Sequence, residues 1–493
     1  MNKTLSFLIY IVLLIIVGLG LYAFEVWPFN SGGPLIPKTE PVQTQITEKL
    51  PDFLAEEGVA REKTYDEHIS RGKLLAQNGY NGLAINEFEA AAKMAPQKTE
   101  PLMETGKIQL ETNDLIKAKL NFQAVLKLEP DNLQAKIYLS NALIADRKID
   151  EAKAVLDSIK VHNQTSKYLL GIVTAYTGDH EKAEIFLREA MTIGADTNIA
   201  ANAQNFLSAY SEFDSNQGGT NIHLLTLLAR SYDQTKEYQM AIPMLFKVIK
   251  EKKDYRDAWI LLGYAYLSTQ KYQDAAQSLE EARKLDPEKP QTLFFLGLSY
   301  FALGDLQKAA DSLELAKQNG YEPKVQLEQK LAEIYLQLKN YEKSAASYEN
   351  VLALNNKDIN YYIKPIWIYL DRLNEPEKAV KLAAAALAAH PAEAMGFNLV
   401  GWAQIGAGNF TRAREYLEKA RAIDPNLDAI YLNYGKLYEK LGDIQGAISL
   451  YKKAYQMGRG NGISSAAADL YNKLIGKADN KDYSTIKANL LYQ

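Results

Sequence analysis

The side chains that most often carry out chemistry are sparse in this sequence, and they are not grouped. The chain has 493 residues, five histidines and no cysteine. No histidine has a second one three or four residues away, and none lies in the His-Glu-x-x-His pattern that holds zinc on one helix face. The absence of cysteine removes thiolate nucleophiles, disulfides and cysteine-ligated metals. The sequence therefore predicts no catalytic residue, no metal site and no cofactor. The histidines are His68, His162, His180, His223 and His390.

Phosphate-binding signals are equally weak. The Gly-x4-Gly-Lys-Ser/Thr pattern of nucleotide-binding loops does not occur, and Gly18-x-Gly20 lies inside an apolar run. Lysine and arginine number 56 against 60 acidic residues, for a net charge of −4. Because nucleic-acid binding depends on clustered positive charge, we expect no nucleic-acid partner. We also expect no enzyme activity.

An uncharged segment of twenty residues, 5–24, lies near the start of the chain. As a helix it would span ~30 Å, the thickness of a bilayer core. A cleaved signal peptide, whose apolar region is usually shorter, is the alternative. Lys3 precedes the segment and the next basic residue is Lys38, so the positive-inside rule places the N-terminus in the cytoplasm. We therefore predict a single-pass protein of a bacterial inner membrane, with its body extracytoplasmic. Residues 1–4 form the flank, 5–24 the transmembrane helix and 25–64 a proline-rich spacer.

After the spacer, glycine, alanine and proline recur at constant intervals. The second repeat begins 34 residues after the first, with Gly106 following Gly72. The letters of one repeat, Trp259-x2-Leu262-Gly263-x2-Tyr266, and the 34-residue period resemble the tetratricopeptide repeat family. Sets with the same intervals are Gly72, Ala84, Ala91 and Pro96; Gly263, Ala275, Ala282 and Pro287; and Gly401, Ala413, Ala420 and Pro425.

This resemblance implies an all-α fold: a right-handed superhelical solenoid of stacked helix-turn-helix units behind the transmembrane helix. We count eleven repeats, four in residues 65–197 and seven in 222–461. Residues 198–221 are predicted as an extra helix and loop, and 462–493 as a capping helix and tail. In each repeat, glycine against alanine is expected to let the two helices approach closely. In the ninth repeat, Trp367 is placed at the glycine position.

The resemblance also implies where a partner would bind. In this family the concave face is lined mainly by first helices, at the residues after the tryptophan and glycine positions. No three consecutive repeats carry the Lys-x3-Asn, Asn, Lys-x3-Arg pattern of chaperone-tail receptors, so that class is not expected. For Tyr264 and Trp402, packing between repeats explains the residue type as well as binding does. The candidate groove residues are Tyr168, Ile260, Tyr264, Phe294, Leu298, Asn398, Trp402 and Leu432.

From these features we predict a membrane-anchored, non-enzymatic scaffold for protein–protein interaction or complex assembly. Its partner would be a protein that places an extended or helical segment in the groove. Two alternatives are left open. One is an exported soluble adaptor after signal-peptide cleavage, and the other is a regulatory subunit of a glycan- or lipid-handling enzyme.

Overall fold

A computed structural model describes residues 63–216 and 219–478 of the chain. Among these residues the backbone forms α-helices and one short 3-10 helix, and no strand. The predicted transmembrane helix at 5–24 lies outside the described residues. Of the helices that the structure does describe, none combines the length and the apolar character needed to cross a bilayer.

The chain divides into two compact bodies, with the boundary after Pro287. The described part of the N-terminal body, residues 63–287, contains α1 to α13. These are α1 (Tyr65–Gln77), α2 (Asn81–Met94), α3 (Glu100–Glu111), α4 (Leu115–Leu128), α5 (Leu133–Ala145), α6 (Ile149–Asp157), α7 (Gln164–Thr177), α8 (His180–Ile193), α9 (Thr197–Ser215), α10 (Asn221–Gln234), α11 (Tyr238–Glu251), α12 (Arg256–Ser268) and α13 (Tyr272–Leu285).

The described part of the C-terminal body, residues 288–478, contains α14 to α24. These are α14 (Pro290–Ala302), α15 (Leu306–Gln318), α16 (Lys324–Gln337), α17 (Tyr341–Leu354), α18 (Ile363–Asp371), α19 (Pro376–Ala389), α20 (Ala394–Gly406), α21 (Phe410–Ile423), α22 (Asp428–Leu441), α23 (Ile444–Gly458) and α24 (Gly462–Ala478). The 3-10 helix, Ile359–Tyr362, precedes α18.

The turn inside each repeat contains a left-handed residue, and in five repeats the next side chain caps the second helix. Gly304 has φ of 81° and ends α14. Asp305 then caps α15, because its side chain accepts a hydrogen bond from the backbone N–H of Lys308 at 3.2 Å. Gly442 and Asp443 repeat this arrangement between α22 and α23. The predicted Gly-Asp turns are confirmed at both places, and they follow from the freedom of glycine at positive φ and the preference for aspartate at an N-cap.

Where a first helix carries glycine at the repeat position, that glycine allows the two helices of the repeat to touch. A Cβ atom added to Gly263 on α12 would lie 2.4 Å from Cγ of Leu279 on α13. At Gly297 and Gly401 it would come within 2.6 and 2.7 Å of a leucine side chain on the second helix. The predicted close approach is confirmed. However, the side chain that fills the space above these three glycines is leucine rather than alanine.

The N-terminal body has a hydrophobic core that runs from Met103 to Ala265. The long helix α9 contributes Phe206 and Tyr210 to this core. The segment that the sequence marks as an extra helix and loop therefore lies inside the N-terminal body.

The C-terminal body ends in α24, which covers the last repeat. Ala467 and Leu474 are buried there. Ile463, Ala466 and Leu470 pack against the same cluster. This helix supplies the cover that a terminal repeat requires, because a repeat cannot bury its outer face by itself.

Candidate protein-binding face

Most of the predicted groove residues are buried. Only Tyr264 and Trp402 are partly exposed. Asn398 is 1% exposed, and its Oδ1 accepts a hydrogen bond at 3.0 Å from Nδ2 of Asn433 on the next first helix. The buried members of the set therefore offer little surface to a ligand in this conformation. They are Tyr168, Ile260, Phe294, Leu298, Asn398 and Leu432.

In the N-terminal body the first-helix face is partly covered by the chain itself. Helix α11 contacts α5, which belongs to a repeat two positions earlier. Nζ of Lys247 on α11 lies 5.0 Å from the ring centre of Tyr176 on α7. Tyr168 packs edge-on against Phe206 of α9, with ring centres 6.5 Å apart, and burial raises its pKa. Of the predicted groove residues in this body, Tyr264 alone is partly exposed.

The same body holds a buried acid. Asp233, in the last turn of α10, is 1% exposed, and among the described residues neither carboxyl oxygen has a hydrogen-bond partner. Burial raises the pKa of Asp233 well above its usual value. Four residues later, burial raises the pKa of Glu237 to about 7. Burial therefore shifts both acids towards the protonated form in the folded chain.

In the C-terminal body the repeat register at Trp367 differs from the prediction. The hydroxyl of Tyr369 donates to Glu349 Oε1 at 2.7 Å. This bond matches that of Tyr335 to Glu314 one repeat earlier, also at 2.7 Å. Aligning the two tyrosines puts Ile366, which is fully buried, at the glycine position. The assignment of Trp367 to that position was wrong by one residue. The sequence prediction assumed a constant spacing between repeats, and the 3-10 turn before α18 interrupts that spacing.

With this correction, one residue directly follows the glycine position in each of three consecutive repeats. These residues are Trp367, Trp402 and Lys436. They lie on the first helices α18, α20 and α22, and each of these helices contacts the next. The packing between α18 and α20 is close, since a Cβ on Gly406 would lie 2.4 Å from Cδ2 of Leu370. Both indoles are partly exposed and pack on one hydrophobic cluster.

Three cations lie against these two indole rings. Lys436 Nζ is 4.7 Å from the ring centre of Trp402. The guanidinium of Arg372 and Nζ of Lys364 lie 4.7 and 5.9 Å from that of Trp367. Such distances fall within the range of cation–π attraction. We call this set of five residues the tryptophan strip: Lys364, Trp367, Arg372, Trp402 and Lys436.

The polar groups of the tryptophan strip have unused hydrogen-bonding capacity. Within residues 63–216 and 219–478, no oxygen lies at hydrogen-bond or ion-pair distance from the three cations or from the two indole N–H groups. Burial lowers the pKa of Lys436, and the carboxylates of Asp371 and Glu439 oppose that shift from a greater distance. The strip thus offers two aromatic faces and a set of donors without acceptors.

The two indoles and three cations of the strip are groups suited to binding a ligand. In the part of the chain that the structure describes, no three histidine, aspartate or glutamate side chains come together as metal ligands. Sequence reasoning selected Trp402 as a groove residue. It missed Lys364, Arg372 and the role of Trp367, which only the corrected register brings together.

Family models described as tetratricopeptide repeat match most of the helical region. One matches residues 226–290, 260–323 and 368–428. A second matches 109–176 and 404–470, and a third 329–358. Among curated proteins, the uncharacterized protein ycf37 of Pyropia yezoensis is 30% identical over 77 residues. That match covers 16% of this chain and 43% of the relative, so it spans less than half of the relative's length.

Several solved structures are similar in fold. YrrB, described as a TPR protein with an unusual peptide-binding site, is 21% identical, with 38% of this chain and 95% of that one covered and a TM-score of 0.33. A tetratricopeptide repeat protein from Parabacteroides merdae is 17% identical, covers 52% and 98% of the two chains and has a TM-score of 0.34. Yeast Tom70 is 14% identical, covers 87% and 99%, and has a TM-score of 0.29.

Proposed function

The chain belongs to the tetratricopeptide repeat family, and we propose that it is a non-enzymatic scaffold that binds a protein partner through the tryptophan strip. The observation that carries this proposal is the pair of partly exposed indoles, Trp367 and Trp402, on neighbouring first helices. Tryptophan and arginine are the residues most enriched among the few that dominate protein–protein binding energies. The strip combines two of the former with one of the latter.

The location of the scaffold is part of the proposal. The uncharged run at 5–24 supports an anchor in the membrane, and the position of Lys3 supports an N-terminus in the cytoplasm. On this basis the helical bodies lie outside the cytoplasm and present the strip to an extracytoplasmic partner.

Site-specific crosslinking in the full-length chain tests the binding face. A photo-reactive residue is placed at 367 or 402, and in a matched chain at Lys381, an exposed lysine on the second helix α19. Adducts are identified by mass spectrometry after extraction in mild detergent. We expect one and the same partner protein at positions 367 and 402 and not at 381. Equal adducts at all three positions would overturn the assignment of the face.

Two substitutions separate binding from folding. Trp402→Ala should weaken capture of that partner about thirtyfold, because hot-spot tryptophans contribute ~2 kcal/mol or more. Ile366→Val is the control, since Ile366 is fully buried next to the strip. It should lower the free energy of unfolding by about 1 kcal/mol and leave capture by the folded protein unchanged. If Trp402→Ala behaves like Ile366→Val, the indole is a packing residue only.

A further inference from the structure

The charge of the tryptophan strip points to the chemistry of its partner. We propose that the strip takes an extended acidic segment of a protein, with one carboxylate bound by Lys436 and another by Arg372 and Lys364. The inference rests on the proposed function and names the class of partner for the same site.

The cations of the strip, unlike Lys317 and Lys378 in the same body, have no carboxylate partner among the described residues. Lys317 lies 2.7 Å from Glu328, and Lys378 lies 2.7 Å from Glu375. The three cations of the strip instead end on indole rings and meet no carboxylate among the described residues. A guanidinium stacked on a ring keeps its edge N–H groups free, and these match a carboxylate in a two-point contact.

The burial of Lys436 also favours an anionic ligand. Loss of solvent around its ammonium lowers its pKa, which means that its charge is poorly compensated in the free protein. A carboxylate placed at the same spot would restore that compensation in a partly dry site, where charge pairs are stronger than in bulk water. Burial of an unpaired cation beside an indole thus favours an anionic ligand over a neutral one.

Two acidic groups also face the strip and limit this attraction. The carboxylate of Glu439 accepts a hydrogen bond at 2.8 Å from the hydroxyl of Tyr451. Asp371 is exposed, immediately precedes Arg372, and has no ion pair or hydrogen bond in the described residues. Because Asp371 would repel an anionic segment, neutralising it should change the affinity in the opposite direction from neutralising a cation of the strip. We expect Asp371→Asn to strengthen binding of the acidic segment.

The spacing of the helices sets the spacing of the acidic residues. Packed helices lie ~8–10 Å apart, so α18 and α22, with α20 between them, are separated by roughly 16–20 Å. An extended chain advances ~3.3 Å per residue. Because Lys436 reaches over Trp402 on α20, this separation is an upper limit, and the two acidic residues should be at most about five or six positions apart. Apolar side chains between them would lie on the indoles, and backbone carbonyls of the segment would accept hydrogen bonds from the indole N–H groups.

Synthetic peptides test this chemistry directly on the full-length chain in mild detergent. The probe is a labelled peptide with two glutamates about six positions apart and two leucines between them. The control replaces both glutamates with glutamine. Fluorescence anisotropy should show binding of the acidic probe that weakens with added salt, because charges near the surface are screened. The glutamine peptide should bind about tenfold more weakly or worse.

Charge-neutralising variants localise the effect. Lys436→Met and Arg372→Met keep the aliphatic stems that cover the indoles, and each should weaken the acidic probe about tenfold or more. Lys381→Met, which removes an exposed charge from α19, should have no effect. Equal binding of the two peptides, insensitivity to Lys436→Met and Arg372→Met, or no binding up to about 1 mM would each overturn the proposed acidic segment.

The binding face and its preference for acidic segments can fail independently. If Trp402→Ala abolishes capture of the crosslinked partner while the charge variants bind every peptide like the parent chain, the binding face stands and its acidic preference falls. If Lys436→Met instead changes the mass of the purified chain alone in light scattering, the strip is an interface between copies of this chain. That result would also overturn the acidic partner.

Discussion

Replacing Gly263 with alanine should destabilise the N-terminal body, although alanine is the better helix former. In an unobstructed helix, glycine to alanine stabilises by about 0.5–1 kcal/mol. At Gly263 the new Cβ would lie 2.4 Å from Cγ of Leu279 and 2.8 Å from its Cδ2. Leu279 is fully buried, so it has little room to move, and overpacking of this kind costs about 1–3 kcal/mol. We expect the steric cost to exceed the gain in propensity, with a net loss of about 0–2.5 kcal/mol.

A matched substitution in the same body has the opposite sign. Gly82 lies in the first turn of α2, and a Cβ there would meet nothing within 4 Å. Gly82→Ala should therefore raise the free energy of unfolding by a few tenths of a kcal/mol, up to about 1. Urea titration of the full chain, followed by circular dichroism, compares the two variants with the parent chain. If Gly263→Ala stabilises as much as Gly82→Ala, contact with Leu279 does not explain why glycine occupies this position.

The remaining predictions concern pH, proteolysis and topology. Burial raises the pKa of Asp233 in the folded chain above its unfolded value near 4, so stability should fall as the pH rises above ~4, by up to about 1.4 kcal/mol per pH unit, until the buried group ionises. Asp233→Asn should match the parent near pH 4 and be more stable at pH 8 in urea titrations; equal pH profiles would show that Asp233 is ionised when folded. Limited proteolysis should cut first at the 215–220 loop, which lacks apolar periodicity; even cleavage across the inter-repeat turns would contradict this expectation. A reporter fused after Gln493 should be active only outside the cytoplasm; activity inside would reverse the proposed orientation, and a mature chain that begins near Leu21 or Phe24 would replace the anchor with a signal peptide.

Local features of the fold follow from the sequence because their causes lie within a few residues. A left-handed glycine and a capping aspartate, as at Gly304 and Asp305, end one helix and begin the next. The period of the apolar residues places Gly263 beside the second helix of its own repeat. The sequence predicts a capping helix within 462–493, since the exposed side of a last repeat needs a cover, and α24 provides that cover. The sequence by itself therefore determined the helical class, the repeats and the packing inside each repeat.

The candidate site depended on contacts between repeats, which a local pattern does not encode. Six of the eight predicted groove residues are buried, because neighbouring first helices pack side by side and, in the N-terminal body, α9 and α11 cover part of that face. The 3-10 turn before α18 shifts Trp367 by one position, so the sequence period alone placed this side chain inside the repeat. Of the cations on the two indoles, Lys364 lies in α18, Arg372 directly follows α18, and Lys436 lies in α22. Only the tertiary structure decided which residues share the strip, since exposure and charge pairing depend on packing between elements far apart in the sequence.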